Sequence, residues 1–370
     1  MPKTSKDHRV DADYVVKPIT IEEIDRVIEI WSFAFGFSDS VRWRKFFETC
    51  LDERLGIYLD DYLVGIVGLV HFEIWLEDRL VPCGGISAVA CDPAHRRRGL
   101  VKKCLRTGLQ SLHDKRIPIS TLWPFSYPFY QRMGYEVVDF RYEIQAQARV
   151  LPDIGDSRRY KRIENTEFER LKRIHEEWIK QSNLSHRRSH SQWVRHIHNP
   201  LRETVIFACD DAYFIWNTSG KTPRTLEIIE WAYLSKQSFY DGLSLLRRID
   251  DLSYDKVLWV TPDASELLSS GITDPQIEIR YKPGVMGRVV HTEAFLELFD
   301  LDVDAFNLMD PLSISASFEG KTNGKQDVEC LSPGRLLQLA TGTLTGQGPG
   351  NKLNITNICA GKKPFCIEFF

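Results

Sequence analysis

The sequence predicts a mixed α/β fold in which apolar strand-like runs alternate with amphipathic helical segments. Apolar runs at 62–70 and 82–91 precede a helical pattern that starts after Gly99. A similar order of segments recurs after residue 160, which indicates a duplicated unit. The 370 residues, 43% hydrophobic and 27% charged, are typical of a globular protein of two or three domains.

The first unit begins with a capping-box pattern, Thr20-Ile21-Glu22-Glu23, which predicts a helix to about residue 35. Two strands joined by a turn are predicted at 56–70, and another strand is predicted at 82–91. The helix after Gly99 has a buried face, because six small or apolar residues recur at helical spacing. They are Leu100, Cys104, Leu105, Gly108, Leu109 and Leu112.

The rest of the first unit is predicted as a strand, a short helix and a closing strand. The strand is 119–123, and the helix has Pro128 near its start and Gly134 just past its end. The run "EVVDFRYEIQ" is predicted to close the unit as one strand near residue 146. The first unit is therefore assigned to residues 1–148.

The second unit, residues 149–284, repeats this plan. It is predicted to contain a helix at 160–181, a hairpin at 205–217 with Asp210 and Asp211 at its turn, and a strand at 226–234. A helix at 239–249 and a strand at 255–262 follow. A third region, 285–370, is predicted to contain a helix at 291–302, a strand at 313–320, a strand and helix at 327–342, and an apolar final strand at 363–370.

Charge and hydropathy exclude several classes of function. The net charge of −3 gives no overall attraction to nucleic acid or to an anionic membrane. The longest apolar run, 62–70, is too short to span a bilayer, and the first 20 residues lack the apolar core of a signal peptide. The eight cysteines form no CxxC pair, which favours a reduced, cytoplasmic protein without a metal site.

The most informative stretch is "AVACDPAHRRRGLVKKCL", residues 88–105. Arg96, Arg97 and Arg98 lie at the start of the helix that follows Gly99. Cations are unfavourable there by about 0.3–1 kcal/mol each, because the helix dipole already places positive charge at this end. An anion bound by the backbone N–H groups would reverse that balance, so the stretch predicts a phosphate site. A solvated basic helix start is the alternative.

Two motifs in this unit resemble those of the GNAT acetyltransferases. Arg96 to Val101 resembles the Arg/Gln-x-x-Gly-x-Gly/Ala motif, with Val101 where a small residue is usual. In "PFYQRMGYE", Tyr130, Gly134 and Tyr135 match the second signature of the family, an aromatic-Tyr-x-x-x-Gly-aromatic pattern.

The narrower resemblance is to the Eis (enhanced intracellular survival) N-acetyltransferases. It implies tandem GNAT units, of mixed and mostly antiparallel sheets with flanking helices, followed by a C-terminal domain like sterol carrier protein. It also implies acetyl-CoA as cosubstrate, small amines such as aminoglycosides as acceptors, and a homohexamer. The second unit lacks the arginine–glycine loop, because "SKQSFYDG" stands in its place.

The resemblance implies a role for individual residues. Val89, Ala90 and Cys91 would pair with the pantetheine arm of acetyl-CoA, and Tyr130 would protonate the departing thiolate. The C-terminal carboxylate of Phe370 would be the general base, since direct transfer needs a deprotonated amine. The cofactor's pyrophosphate would contact Arg97, Arg98, Gly99, Leu100, Val101 and Lys102, and a further cofactor contact would come from Phe125 and Ser126.

Other interpretations remain open at this point. Glu73 and Glu77 are alternative general bases or plain surface residues. His186, His190, His196 and His198 include helical i, i+4 pairs, but a polar interdomain segment explains them better than zinc. Trp31, Phe33 and Phe35 line an amine pocket or belong to the core. The alternative functions are a lipid carrier and an N-acyltransferase that uses a longer acyl-CoA.

Overall fold

A computed structural model describes residues 14–36, 40–51, 54–164, 168–199, 202–218, 222, 224–251, 254–271, 274–298, 306–315, 329–343 and 362–367. The first half of the chain alternates strands and helices. In order they are β1 (Tyr14–Pro18), α1 (Ile24–Phe35), α2 (Ser40–Glu48), β2 (Arg54–Leu59), β3 (Tyr62–Leu76), β4 (Arg79–Cys91), α3 (Leu100–Asp114), β5 (Ile119–Leu122), α4 (Tyr127–Gln131), β6 (Glu136–Val137) and β7 (Phe140–Gln147).

The remaining elements continue the mixed pattern. In order they are β8 (Lys161–Ile163), α5 (Phe168–Ile179), β9 (His186–Arg187), α6 (His190–Ile197), β10 (Thr204–Ala208), β11 (Ala212–Asn217), β12 (Thr225–Tyr233), α7 (Lys236–Arg247), β13 (Lys256–Thr261), α8 (Ser265–Ser269), β14 (Ile277–Pro283), β15 (Met286–Val289), α9 (Thr292–Glu297), β16 (Phe306–Leu308), β17 (Glu329–Leu331) and α10 (Pro333–Ala340).

Two large mixed sheets organise the molecule. The first has the order β1-β2-β3-β4-β5-β15-β6, with β9 paired to β3, and the second has the order β14-β7-β13-β12-β11-β10-β8. The described pairs are antiparallel except for β4–β5 in the first sheet and β12–β13 in the second. A separate parallel pair, β16–β17, follows in the C-terminal region. The mixed α/β class that the sequence predicts is confirmed.

Several sequence predictions are confirmed in detail. All six predicted core residues of α3 are buried, and Gly99 precedes the helix with a φ of +77°. The predicted hairpin is β10–β11, with Asp210 and Asp211 between its strands. The first helix begins as a 3₁₀ turn at Ile21–Glu23, where the Glu23 carboxylate accepts the Thr20 N–H at 2.8 Å.

The two sheets exchange strands, which the sequence analysis did not predict. The run predicted as one closing strand is divided: β6 lies in the first sheet, while β7 pairs with β13 and β14 in the second. The break falls at Asp139, whose buried carboxylate bonds to backbone N–H groups of two distant segments. In return, β15 lies between β5 and β6, so residues assigned to the third region complete the first sheet.

Three smaller predictions need correction or fall outside the described residues. Residues 161–163 form an edge strand rather than the start of a helix, because they pair with β10. The predicted strand 313–320 is not formed at 313–315, and 316–320 lie outside the described residues. At 363–370, a single bridge joins Pro364 to Asn183, and residues 368–370 lie outside the described part.

A buried ion pair fastens the C-terminal region to the first sheet. The Arg288 guanidinium, on β15, lies 2.7 Å from the Asp310 carboxylate, and both side chains are fully buried. Arg288 also donates to the Met133 carbonyl at 2.6 Å, while Asp310 accepts backbone N–H groups from Leu312 and Ser315. Removing either partner would leave an uncompensated buried charge, which typically costs about 3–5 kcal/mol.

Asp139 holds the tail segment 362–367 against both sheets. Its carboxylate accepts the Val285 N–H at 2.5 Å and the Cys366 N–H at 3.0 Å. Gly284 passes so close that an added Cβ would lie 1.9 Å from Asp139 Oδ1. Burial raises the pKa of Asp139 to about 6, although Cys366 and Val285 N–H groups and Arg141 oppose the shift.

This raised pKa predicts a pH-dependent stability. The native Asp139 keeps its proton up to about pH 6, whereas the unfolded side chain loses it near 3.8. The native state therefore binds more protons in this window, and Asp139 lowers the free energy of unfolding as pH rises from about 4 to 6. Denaturant unfolding of the parent and of Asp139→Asn at several pH values measures this. We expect the difference in free energy of unfolding between the parent and Asp139→Asn to change between about pH 4 and 6. A constant difference would contradict the raised pKa of Asp139.

Candidate functional site

The candidate site begins where the pairing between β4 and β5 ends. The ladder stops at Ile86–Leu122, but β4 continues to Cys91. Within this extension the β3–β4 register shifts between Ile66 and Gly68, and Ala88 takes a φ of +54°. The extension therefore diverges from β5, and the N–H and C=O groups on that edge are available to hydrogen-bond with the amide groups of another molecule.

The loop after β4 turns its backbone N–H groups toward solvent. Asp92 caps the short turn Pro93–His95 by accepting the Ala94 N–H at 2.9 Å, and Arg97 and Gly99 both have positive φ, +62° and +77°. In the described part of the structure, no acceptor receives the N–H groups of residues 97–102. Six consecutive donors at a helix N-terminus make a site for a phosphate-containing anion.

The basic side chains of this loop are held by β1. The Arg98 guanidinium donates to the Tyr14 hydroxyl at 3.1 Å, and Lys103 Nζ donates to the Tyr14 carbonyl. Arg96 Nε donates to the Cys91 carbonyl at 3.1 Å, which ties the loop back to the end of β4. The sequence motif indicated the arginines but not Tyr14, because β1 is about 80 residues away and carries no local signal.

A second support that the sequence did not reveal is an ion pair between α1 and the loop. Arg26 binds the Asp92 carboxylate and donates to the Leu63 carbonyl at 3.0 Å. Partial burial raises the pKa of Asp92, but the Ala94 N–H and Arg26 outweigh it and hold that pKa below its usual range. Asp92 therefore stays ionised and keeps the turn closed above acidic pH.

Tyr130, on α4, is buried beside the loop. It is 1% exposed and belongs to the same apolar cluster as Cys91 and Leu100, with Val89 and Val101 packed against it. None of the residues that the structure describes forms a hydrogen bond to its hydroxyl. Burial raises the pKa of Tyr130, so the phenol is protonated at neutral pH and available as a donor.

The other predicted site residues have distinct surroundings. Phe125 is exposed, and its ring centroid lies 5.2 Å from that of Tyr130, whereas Ser126 is half-buried at the start of α4. Ala90 packs on the opposite face of the sheet, against the cluster of α1 and α2. Lys102 is exposed on the first turn of α3. Phe370 lies outside the described residues.

A cavity of about 250 Å³ lies between the two sheets and reaches the extension of β4. Val70 and Ser87 line it from the first sheet, and Ile367 lines it from the tail. Ser87 is the residue directly after the last β4–β5 pair, so the cavity adjoins the divergence of these strands. The second sheet contributes residues 227–229 and 258–260, together with Arg141 and Glu143 of β7.

A buried polar network supports the cavity wall near His196. The fully buried Glu230 carboxylate is bound by Arg188 and accepts a bond from Tyr213, and His196 Nε2 lies 3.2 Å from it. Burial opposes ionisation of Glu230, but Arg188 and His175 hold its pKa well below its usual range. The network is charged in the native state and orients the histidine side chains around one carboxylate.

The remaining candidate residues lie elsewhere. Glu73 pairs with Arg187 at 3.4 Å, and Glu77 is at the β3–β4 turn, bonded to Asn183. Both are at the opposite end of β3 from the register shift. Trp31 packs in the α1–α2 core, while Phe33 is exposed. Among the described residues, no group of three or more His, Cys, Asp and Glu side chains is arranged to hold a metal ion.

Comparisons with known proteins agree with this geometry. Residues 15–138 match the family described as acetyltransferase (GNAT) domain. A Streptomyces avermitilis protein described as an uncharacterized N-acetyltransferase is 27% identical over 105 residues, which is 28% of this chain and 26% of that protein. The chain thus matches about a quarter of that relative's length. Residues 15–138 therefore resemble GNAT acetyltransferase domains, a class that uses acetyl-CoA as cosubstrate.

Solved structures share the fold over nearly the whole chain. A GCN5-related N-acetyltransferase from Anabaena variabilis has a TM-score of 0.79 at 20% identity, over 96% of this chain and 100% of that chain. Eis1 from Mycobacterium abscessus has a TM-score of 0.69 at 18% identity, over 96% and 100% of the two chains. At such identities the likeness concerns the fold. None of the helices in the described part of the chain has the length and apolar character that a bilayer crossing requires.

The loop geometry predicts the effect of a substitution at Gly99. Gly99→Glu introduces a side chain at positive φ and places a carboxylate beside the six N–H groups, so we expect loss of acetyl-CoA binding in calorimetry. Gly36→Glu is the matched control, because Gly36 has a φ of +75° at the end of α1 with open space around it. Gly36→Glu should incur a similar backbone strain yet bind acetyl-CoA at one site per chain. Equal binding by both variants would contradict the loop assignment.

Proposed function

We propose that this protein transfers the acetyl group of acetyl-CoA to an amino group of a small acceptor molecule. One observation carries the proposal: the extension of β4, whose edge toward β5 is unpaired, joins the six-donor loop at one end and the inter-sheet cavity at the other. A cofactor that lies along the extension would have its pyrophosphate at the loop. Its thioester would then face the cavity that receives the amine.

The cofactor contacts follow from this placement. The backbone of Val89, Ala90 and Cys91 would pair with the pantetheine amides, and residues 97–102 would bind the pyrophosphate through their N–H groups. Phe125 and Ser126, at the start of α4, would border the pantetheine from the side of β5. The second sheet has no comparable loop, since α7 begins at Lys236 with its N-cap Ser235 already bonded to the Ser238 N–H.

The transfer step needs an acid and a base. The amine nitrogen attacks the thioester carbonyl, the new C–N bond forms and the C–S bond breaks. The departing thiolate takes the proton of the Tyr130 hydroxyl, which is protonated and has no described partner. Burial raises the pKa of Cys91 to about 11, so its thiol is neutral, which favours direct transfer over an acetyl-cysteine intermediate.

For a chain that ends at Phe370, the terminal carboxylate is the proposed general base that takes the proton of the attacking amine. Ile367, the last described residue, lines the cavity, and Asp139 anchors the tail one residue earlier. Appending two glycines tests the role, because each residue moves the carboxylate by up to about 3.3–3.6 Å while both phenylalanine rings remain. We expect the extended enzyme to bind acetyl-CoA normally but to lose most acetylation. Full activity would exclude this base.

Tyr130→Phe tests the general acid. We expect kcat to fall by about 10²–10⁴-fold with little change in KM, because the hydroxyl acts as the C–S bond breaks. Tyr135→Phe is the matched control: it removes a buried hydroxyl from the same aromatic cluster, one that bonds Ser120 at 2.8 Å. The control should lose about 1 kcal/mol of stability and keep its kcat. If Tyr130→Phe keeps kcat within about twofold of the parent, Tyr130 only packs.

The function itself is tested by incubating amines with acetyl-CoA and measuring acetylated product by mass spectrometry. Aminoglycosides, the acceptors that the family resemblance implies, belong in the first panel. Lipid co-purification without any acetylated amine would favour the lipid-carrier alternative, and transfer only from long acyl-CoA would favour the acyltransferase alternative.

The domain division and the assembly stay predictions. The division has tandem GNAT units at 1–148 and 149–284 and a sterol-carrier-like domain at 285–370, and a crystal structure would test it. Light scattering would test the hexamer.

A further inference from the structure

The charges around the cavity indicate what kind of amine it accepts. Four arginines and two glutamates line it: Arg54, Arg141, Arg195, Arg202, Glu143 and Glu227. Arg195 and Arg202 have further interactions of their own. The inference therefore depends on Arg54 and Arg141, neither of which has a further interaction among the described residues.

The two glutamates are already engaged on the protein side. Glu143 lies 2.6 Å from Lys282 Nζ and 3.7 Å from Arg280 Nη1, so its negative charge is balanced by two cations. Glu227 accepts the Asn217 side-chain N–H at 2.8 Å. Among the described residues, Glu143 has cationic partners and Glu227 has none. The Glu227 carboxylate can therefore pair with the positive charge of a bound amine.

Arg54 is a buried cation that has no carboxylate partner among the described residues. Its side chain is held by one bond from Nη1 to the Cys50 carbonyl at 2.9 Å, and its guanidinium lies 5.1 Å from the centre of the Phe47 ring. Arg54 is 5% exposed, and its Nε has no hydrogen-bond partner. No described carboxylate lies within ion-pair distance of it. A buried charge in this state is costly, and an anion entering the cavity would relieve that cost.

Arg141 repeats the pattern on the opposite wall. Its guanidinium stacks over the Trp123 ring at 4.0 Å, and burial lowers its pKa although Asp139 opposes the shift. No described carboxylate forms an ion pair with it, although the charges of Asp139 and Glu143 act on it from farther away. A stacked guanidinium presents its N–H edge in a fixed plane, which suits a planar or tetrahedral oxyanion.

The position of Arg54 relates this charge to the reaction centre. Arg54 on β2 is opposite Gly68 on β3, which in turn is opposite Ser87 on β4. Gly68 has no side chain, and an added Cβ would lie 2.2 Å from Ser87 Oγ. The backbone of Arg54 therefore lies two strand spacings, about 10 Å, from Ser87, beside which the thioester is proposed to lie. That span fits one small molecule with an amine at one end and an anion at the other.

We propose that the acceptor is an amine that also carries an anionic group, a carboxylate or a phosphate, bound by Arg54 and Arg141. This rests on the proposed transferase function and narrows its substrate class. A polycationic acceptor such as an aminoglycoside would place several positive charges beside two guanidinium groups that form no ion pair with a described carboxylate, which is unfavourable in a partly buried site. An amine with an anionic group would instead pair its negative end with the arginines and its nitrogen with Glu227 or the base.

Matched acceptor pairs test the proposal. Lysine and cadaverine, and phosphoethanolamine and ethanolamine, differ by one anionic group each, and the two pairs separate carboxylate from phosphate recognition. Each is assayed with acetyl-CoA for kcat/KM, alongside kanamycin. We expect the anionic member of at least one pair to be preferred about tenfold or more, because a charge-assisted bond is worth about 1.5–3 kcal/mol.

Variants then connect that preference to the two arginines. Arg54→Met and Arg141→Met remove the charge and keep an apolar stem, and each should bring the kcat/KM ratio of the preferred pair close to one. Arg158→Met is the matched control at a side chain that is 85% exposed, and it should leave the ratio unchanged. Melting temperatures show whether each variant folds, and Arg141→Met, at a half-buried position, still tests the proposal if Arg54→Met does not fold.

The outcomes separate this inference from the function on which it rests. Equal or better use of cadaverine, ethanolamine or kanamycin by the parent enzyme would overturn the inference and leave the transferase proposal intact. So would a preference that survives both arginine variants. If no amine is acetylated, calorimetry with N-acetyl-lysine and N-acetylcadaverine gives the second readout. Selective binding of N-acetyl-lysine, lost in Arg141→Met, would then support the anion site while the transferase proposal fails.

Discussion

The pairing between β4 and β5 ends five residues before β4 does, and the candidate site is arranged around this divergence. Buried backbone groups need hydrogen-bond partners. Beyond Ile86, the edge of β4 that faced β5 has lost its partner strand and needs other hydrogen-bonding groups. The positive φ of Ala88 and the register shift opposite Gly68 turn the extension away from β5. The loop at 92–99, Tyr130 and the inter-sheet cavity are all placed by the direction that β4 takes after Ile86.

Buried charges hold the rest of the molecule around that site. Arg288 and Asp310 join the C-terminal region to the first sheet, and Asp139 joins the tail to the crossing point between the sheets. Each of these groups forms several hydrogen bonds, whereas Arg54 forms one with the described residues. This difference in hydrogen bonding is what distinguishes a structural buried charge from one that is available to a ligand.

Local patterns in the sequence were sufficient for the elements but not for their partners. The stripe on α3 and the turn at Asp210 and Asp211 follow from spacing alone, and the structure confirms both. The loop donors at 97–102 were also predictable in part, since the first N–H groups of any helix have no acceptor within the helix. These features depend on residues within a few positions of one another.

Features that depend on distant residues were missed. The prediction of one closing strand over "EVVDFRYEIQ" was wrong, because this run has a strand-like character throughout. The break at Asp139 depends on the remote N–H groups of Val285 and Cys366. Tyr14 and Arg26 support the loop from about 70 to 80 residues away. The unpaired state of Arg54 is likewise invisible in the sequence, because it depends on which carboxylates the fold brings near.

The strand exchange also sets the order in which the protein can be made. The first sheet needs β15, residues 286–289, between β5 and β6, so more than three quarters of the chain must be synthesised before that sheet is continuous. At a typical 5–20 residues per second, the nascent first half waits many seconds with the open edges of β5 and β6 exposed. During translation, therefore, the sheet that carries the candidate site is the first to emerge and among the last to be completed.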